Sequence, residues 1–94
     1  MTHAEWLRAR GPAAPTALVD RVGQLLGAHP EWEELARADA FVEASVLLLE
    51  HVLRQKSLVR ASALDLLAAD ACVTYAFEAA SDEPASIGAL AERA

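Results

Sequence analysis

The longest helix-favouring run of the chain extends from Leu58 to Ala80, and the other elements are interpreted around it. The run reads LVRASALDLLAADACVTYAFEAA and contains neither Gly nor Pro. At about 100° per residue, apolar side chains cover nearly all of the helix circumference. The pattern therefore predicts a buried central helix over about residues 58–80. A narrow polar stripe interrupts its apolar surface, formed by Arg60, Asp70, Thr74 and Glu78.

A second long helix is predicted over residues 38–56. Its apolar residues Val42, Val46, Leu49 and Leu53 recur every three or four positions, which predicts one buried stripe. The apolar phase changes between residues 37 and 39, so we expect a break there, with Asp39 as the N-cap of the helix. With Ser57 as the cap after a very short turn, helices 38–56 and 58–80 are expected to form an antiparallel hairpin.

Capping and helix-breaking residues predict shorter helices elsewhere. Thr2 and Glu5 have the spacing of a capping box, and the helix that follows is expected to bury Trp6 and Leu7. A second helix is predicted over about residues 15–26 with Gly27 as its terminator, and a last one over about 84–93. The predicted fold is all-α: a small bundle of four to five helices in a single domain, residues 1–94, around the central helix.

Composition and charge exclude several classes of protein. The 94 residues include 22 Ala, which indicates a core of small side chains. The formal net charge of −6 argues against nucleic acid and anionic membranes as partners. Charged residues interrupt the central run, which argues against a membrane span. A single cysteine, with no secretory signal at the N-terminus, predicts a cytoplasmic location. Seven Arg to one Lys suggests a GC-rich bacterial genome.

No sequence motif predicts a reaction, a cofactor or a metal site. A Gly-rich phosphate loop, a Cys pair, Gly-x-Ser-x-Gly and His-Glu-x-x-His are all absent from the sequence. The histidines His3, His29 and His51 fall on different elements, so we expect surface or capping roles for them rather than metal ligation. Cys72 has apolar neighbours and is expected to be an inert core thiol. The sequence therefore favours a protein without enzymatic activity and identifies no family.

Asp65 is the residue that departs from the pattern of the central helix. It falls on a face otherwise made of Leu and Ala, where a carboxylate needs a hydrogen-bond donor or a cation. We expect either a pair with an Arg from a neighbouring helix or exposure of Asp65 near the first half of the helix. The alternative is a pocket for a small ligand, with Asp65, Cys72 and Tyr75 as the candidate ligand-binding residues.

The leading functional hypothesis is self-association. A central helix that is apolar on most sides needs more cover than short flanking helices supply, and closed two-fold symmetry is the commonest way to supply it. We therefore expect a homodimer, with another protein chain as the alternative partner. A small-molecule binder or small all-α enzyme, with its pocket near Asp65 and Tyr75, is the alternative function. The candidate interface residues are Leu47, Leu48, Val73, Tyr75 and Phe77.

Overall fold

The structure is a computed structural model that describes residues 1–10, 15–55 and 60–82. The described residues form an all-α bundle, as predicted, and the predicted helix over 84–93 and the predicted cap at Ser57 lie outside them. The elements in chain order are α1 (His3–Ala9), α2 (Thr16–Ala28), a 3₁₀ helix (Pro30–Glu34), α3 (Arg37–Arg54) and α4 (Arg60–Ser81).

Helices α3 and α4 pack against each other as an antiparallel hairpin, which confirms the predicted pairing. The Ser45 hydroxyl donates to the carbonyl of Ala69 at 3.0 Å, and His51 Nδ1 lies 2.7 Å from a carboxylate oxygen of Asp65. A step forward along α3 thus corresponds to a step backward along α4. The hairpin forms the largest packed surface among the described elements and positions both sites discussed below.

Small side chains dominate the buried faces of this hairpin. The prediction of which side of α3 is buried is therefore wrong. Phe41 and Leu48 are the large buried residues of α3. Val46, Leu49 and Leu53, which were predicted to be buried, are instead exposed. Small side chains allow two helices to approach closely, so the larger residues lie outside the contact. The small buried residues are Ala38, Ala40, Ala44 and Ser45 of α3 and Ser62, Ala68, Ala69, Cys72, Ala76, Ala79 and Ala80 of α4.

Helix α1, at the N-terminus, packs against the core through its own buried side chains. The predicted capping box is present: Glu5 N–H donates to the Thr2 hydroxyl at 3.0 Å, and Thr2 N–H donates to the Glu5 carboxylate at 2.9 Å. Trp6 and Leu7 are buried, as predicted. The ring of Trp6 packs 5.4 Å from that of Phe41, centroid to centroid, which joins α1 to α3.

Two predicted boundaries are wrong. Gly27 does not terminate α2, because the helix continues to Ala28. The break before α3 lies at Leu35 and Ala36, which are extended, and Ala36 rather than Asp39 occupies the N-cap position. The 3₁₀ helix explains the shift, since it buries Trp32 and ends one residue before the extended pair.

Candidate functional site

An exposed apolar surface runs along one side of the α3–α4 hairpin. Its residues recur at intervals of three, four or seven positions, so they share one side of each helix. They are between 41% and 83% exposed, which is unusual for a row of large apolar side chains. We call this surface the outer face, and its residues are Val46, Leu49 and Leu53 of α3 with Leu66, Val73 and Phe77 of α4.

A shallow groove of about 180 Å³ follows the junction of the two helices on this side. Leu49 of α3 and Leu66 and Val73 of α4 line it together, so the two rows of the outer face meet there. Asp70 is exposed and is the charged residue among the described lining. Among the described residues, this side of α4 is therefore exposed, and its apolar side chains lie beside the polar Asp70 and Thr74.

The five candidate interface residues fall in different places. Val73 and Phe77 belong to the outer face. Leu48 is 1% exposed and fills the core of the single chain, so it has no surface to offer a second molecule, contrary to the expectation. Leu47 is half-buried on the opposite side of α3. Tyr75 is half-buried, with its ring 5.6 Å from that of Phe41.

Asp65 is buried and paired with two side chains from neighbouring helices. Arg21 of α2 donates through Nε to one carboxylate oxygen at 2.6 Å and through Nη2 to the other at 3.4 Å. His51 of α3 lies with Nδ1 2.7 Å from the second oxygen. An ionised carboxylate only accepts, so Nδ1 of His51 carries the proton, and Nε2 lies 3.5 Å from Nε2 of Gln55. The expected pairing of Asp65 with an Arg of a neighbouring helix is confirmed, and His51 is a further partner.

The electrostatics of this cluster favour the ionised form of Asp65. Burial acts to raise the pKa of its carboxyl group, but the hydrogen bonds and charges of Arg21 and His51 together outweigh burial and lower that pKa from its ordinary value. The hydrogen bond to Asp65 likewise raises the pKa of Arg21. The cluster thus holds one buried negative charge between two donors and links α2, α3 and α4.

A cleft of about 210 Å³ opens between α2 and α3 beside this cluster. Arg21, His51 and Arg54 form its polar part, and three leucines form its apolar part. It lies on the side of α3 opposite the outer face, because His51 and Leu47 point away from Leu49 and Leu53 on the helix. The described lining consists of Arg21, Leu25, Leu47, Leu48, His51 and Arg54.

The other candidate ligand-binding residues, Cys72 and Tyr75, do not line this cleft. Cys72 is fully buried, and burial raises the pKa of its thiol to about 12, so the thiol stays protonated near neutral pH. Burial also raises the pKa of Tyr75, with smaller contributions from Cys72 and Glu78. Cys72 lies seven positions after Asp65, about 10 Å further along the helix axis. The surroundings of Asp65 therefore belong to α2 and α3 and not to these two residues.

His3 is buried, contrary to the surface or capping role expected for it. Its Nε2 lies 3.0 Å from the carbonyl oxygen of Trp32, and Arg37 Nε donates to its Nδ1 at 3.2 Å. These contacts assign the neutral tautomer with the proton on Nε2. His29 is stacked on Trp32, with ring centroids 4.1 Å apart. Within residues 1–10, 15–55 and 60–82, no group of three His, Cys, Asp or Glu residues is placed to hold a metal ion.

Sequence reasoning expected an Arg beside Asp65 but did not identify Arg21 or His51. Arg21 is separated from Asp65 by 44 positions, so only the packing of α2 on α4 brings them together. The sequence feature that indicated this cluster was Asp65 itself, a carboxylate on an apolar helical face.

No protein-family model matches this chain, and comparison with curated proteins and with solved structures finds no significant similarity. The indications of function therefore come from the geometry of the outer face and of the cleft between α2 and α3. None of the helices in the described ranges is long and apolar enough to cross a membrane.

Proposed function

We propose that this protein is a helical self-association module that forms a homodimer through the outer face. The observation that carries the proposal is the set of large, exposed apolar side chains on one side of both helices of the hairpin. A surface of this kind on a small protein is typical of a site of protein association. The proposed function is interaction rather than catalysis, and the single thiol of Cys72 fits a reducing, cytoplasmic setting.

The dimensions of the outer face are compatible with a dimer interface. The 18 residues of α3 span about 27 Å at ~1.5 Å per residue, and two adjacent helices are about 20 Å wide. The face therefore offers roughly 500 Å² per copy. Two copies bury about 1,000 Å² in total, which is near the lower limit for a specific interface.

A second copy of this chain is the occupant that fits this surface. The outer face is an antiparallel helical hairpin with apolar residues on both helices. Two such hairpins stacked face to face around a two-fold axis form a four-helix arrangement, in which each apolar row meets another apolar row. Such an isologous contact uses the same residues on both copies and closes without leaving an open end.

The proposal is tested by the mass of the protein in solution and by two adjacent substitutions. Sedimentation and native mass spectrometry, from about 1 μM to about 1 mM protein, are expected to give twice the 10.0 kDa chain mass. Leu66→Glu places a charge in the groove of the outer face and is expected to weaken dimerisation at least 100-fold, because an unpaired charge is costly to bury.

Leu67→Glu is the matched control, since Leu67 is also exposed but points about 100° away from Leu66. It is expected to leave the dimer intact, and circular dichroism checks that both variants keep their helices. A monomeric wild-type protein over the whole concentration range would overturn the proposal and leave the outer face to a different chain. Equal effects of the two substitutions would also contradict it.

A further inference from the structure

We propose that the cleft between α2 and α3 binds a small carboxylate that carries an apolar group, such as an aromatic ring or a short alkyl chain. The cleft lies on the opposite side of α3 from the outer face, so this site is separate from the proposed dimer contact. The inference rests on three features of its lining: the fixed guanidinium of Arg21, a replaceable ion pair and an apolar floor.

The fixed donors come from the Asp65 cluster. Asp65 accepts from Nε and Nη2 of Arg21, which holds the guanidinium plane in place. A guanidinium has five N–H donors, so Arg21 keeps donors that Asp65 does not use. The same carboxylate accepts from Nδ1 of His51, so Nε2 of His51, which lies 3.5 Å from Nε2 of Gln55, is an acceptor and offers no donor to a ligand carboxylate. The unused N–H groups of Arg21 are thus oriented before any ligand arrives, which lowers the entropic cost of binding.

The replaceable ion pair is formed by Arg54. Its side chain is 71% exposed and lies 3.7 Å from the Glu50 carboxylate, one helical turn earlier on α3. Exposed pairs of this length contribute little to stability, so a ligand carboxylate can take the place of Glu50 at small cost. Arg54 and Arg21 together provide the charge-assisted hydrogen bonds that a carboxylate needs.

The apolar floor sets the size of the ligand. Leu25 and Leu48 are buried and Leu47 is half-buried beneath the cationic rim. The cleft volume of about 210 Å³ exceeds the roughly 150 Å³ of an engineered apolar cavity that accepts benzene. A six-carbon ring or chain therefore fits, whereas ligand pockets of about 300–1,000 Å³ hold larger molecules.

The donors of the cleft, rather than its net charge, favour an anion. The formal net charge of the protein is −6, and the described residues that line the cleft include two Arg and no acidic residue. Asp65 pairs with Arg21 and Glu50 pairs with Arg54, so these four groups carry no net charge together. A ligand carboxylate therefore binds through the N–H groups of Arg21 that Asp65 leaves unused, and through Arg54 once Glu50 is displaced.

Benzoate is the probe for this site, and amide chemical shifts measured by NMR are the readout. Titration is expected to move the resonances of Leu25, Leu47, His51 and Arg54 in a saturable way. Benzyl alcohol has the same ring without the charge, and acetate has the charge without the ring. Each is expected to bind at least tenfold more weakly than benzoate, since benzyl alcohol lacks the contacts of the carboxylate and acetate lacks the contacts of the ring.

Three variants make the assignment specific. Arg54→Gln removes a charge-assisted contact and is expected to weaken benzoate binding about tenfold, whereas Arg8→Gln removes an equal charge from α1 and is expected to change nothing. Leu47→Phe fills the cleft and is expected to abolish binding, with thermal unfolding as the check that it folds. Failure of benzoate to shift these resonances would overturn the proposal. Equal binding of benzyl alcohol, or equal effects of the two Arg variants, would also overturn it.

Discussion

At the scale of single residues, Asp65 makes the stability of the fold depend on pH. Its folded-state pKa is lowered, because the effects of Arg21 and His51 outweigh burial. The unfolded chain therefore binds a proton at higher pH than the folded chain does. The stabilisation is fully present above the ordinary value of 3.8 and is lost as the pH falls through the folded-state pKa.

We predict that Asp65→Asn lowers the free energy of unfolding by about 2 kcal/mol near pH 7, the usual worth of hydrogen bonds to a charged group. The difference from wild type is expected to shrink below about pH 4, because the unfolded wild-type chain then takes up a proton at Asp65, which the folded chain does only at lower pH. Urea unfolding at a fixed protein concentration measures both effects. Asp20→Asn on α2, an exposed position, serves as the control and is expected to change stability little. A difference that grows on acidification would contradict the role of Asp65.

At the scale of helices, small residues explain where sequence reasoning succeeded and where it failed. The all-α class, the capping box at Thr2 and the hairpin of α3 and α4 follow from periodicity and local capping, and each is present. The orientation of α3 was wrong, because large apolar residues were taken to mark the buried side. The contact with α4 uses Ser45, whose hydroxyl donates to the carbonyl of Ala69, and a hydrophobicity pattern gives such a residue little weight. The same error hid the outer face, since Val46 and Leu49 were assigned to the core.

The Asp65 site could be predicted only in part for a different reason. A carboxylate on an apolar helical face indicates that a partner exists. The identity of Arg21 depends on how α2 docks onto α4, and nothing local to either helix determines that docking. The cleft beside Asp65 depends on the same docking of α2 onto α4, so its lining residues could not be predicted from the sequence either.

The two glycines of α2 provide a test of helix propensity, with Gly23 in the interior of the helix and Gly27 next to its last residue. A methyl group added at Gly27 meets no atom within 4 Å, whereas one added at Gly23 would lie 2.6 Å from Nη2 of Arg8. We predict that Gly27→Ala raises the free energy of unfolding by about 0.5–1 kcal/mol, the usual advantage of Ala over Gly in a helix. Gly23→Ala is expected to gain less, because the Arg8 side chain must move. Urea unfolding measures both, and a larger gain at Gly23 would contradict the described packing of α1 on α2.

At the scale of the whole molecule, the two sides of α3 have different chemistry. One side continues into the outer face, where Leu49 meets Leu66 and Val73 of α4. The other faces α2 and carries the cleft, with His51 and Arg54 at its rim. Because the outer face and the cleft share no residue among those that the structure describes, a substitution in one is expected to leave the other unchanged. Dimer mass and benzoate binding can therefore be measured on the same variants as independent properties.

The proposed dimer also makes a prediction about charge. Asp70 lines the groove of the outer face, so a two-fold contact through this face brings two Asp70 carboxylates into one interface. Two like charges about 10 Å apart at an effective dielectric constant near 20 repel by about 1–2 kcal/mol. Asp70→Asn is therefore expected to tighten dimerisation roughly tenfold. Added salt, which screens the repulsion, is expected to tighten the wild-type dimer more than the dimer of this variant.

Sedimentation at several protein and salt concentrations measures these dissociation constants. Asp20→Asn is the control that separates repulsion between the two Asp70 carboxylates from repulsion between the net charges of the two chains. It removes the same charge from α2, away from the outer face. Each chain carries a formal net charge of −6, so some relief of repulsion is expected from either substitution. Because Asp70 lies in the groove, Asp70→Asn is expected to tighten dimerisation clearly more than Asp20→Asn does. An equal gain from both substitutions would attribute the repulsion to overall charge and would place the contact elsewhere on the molecule.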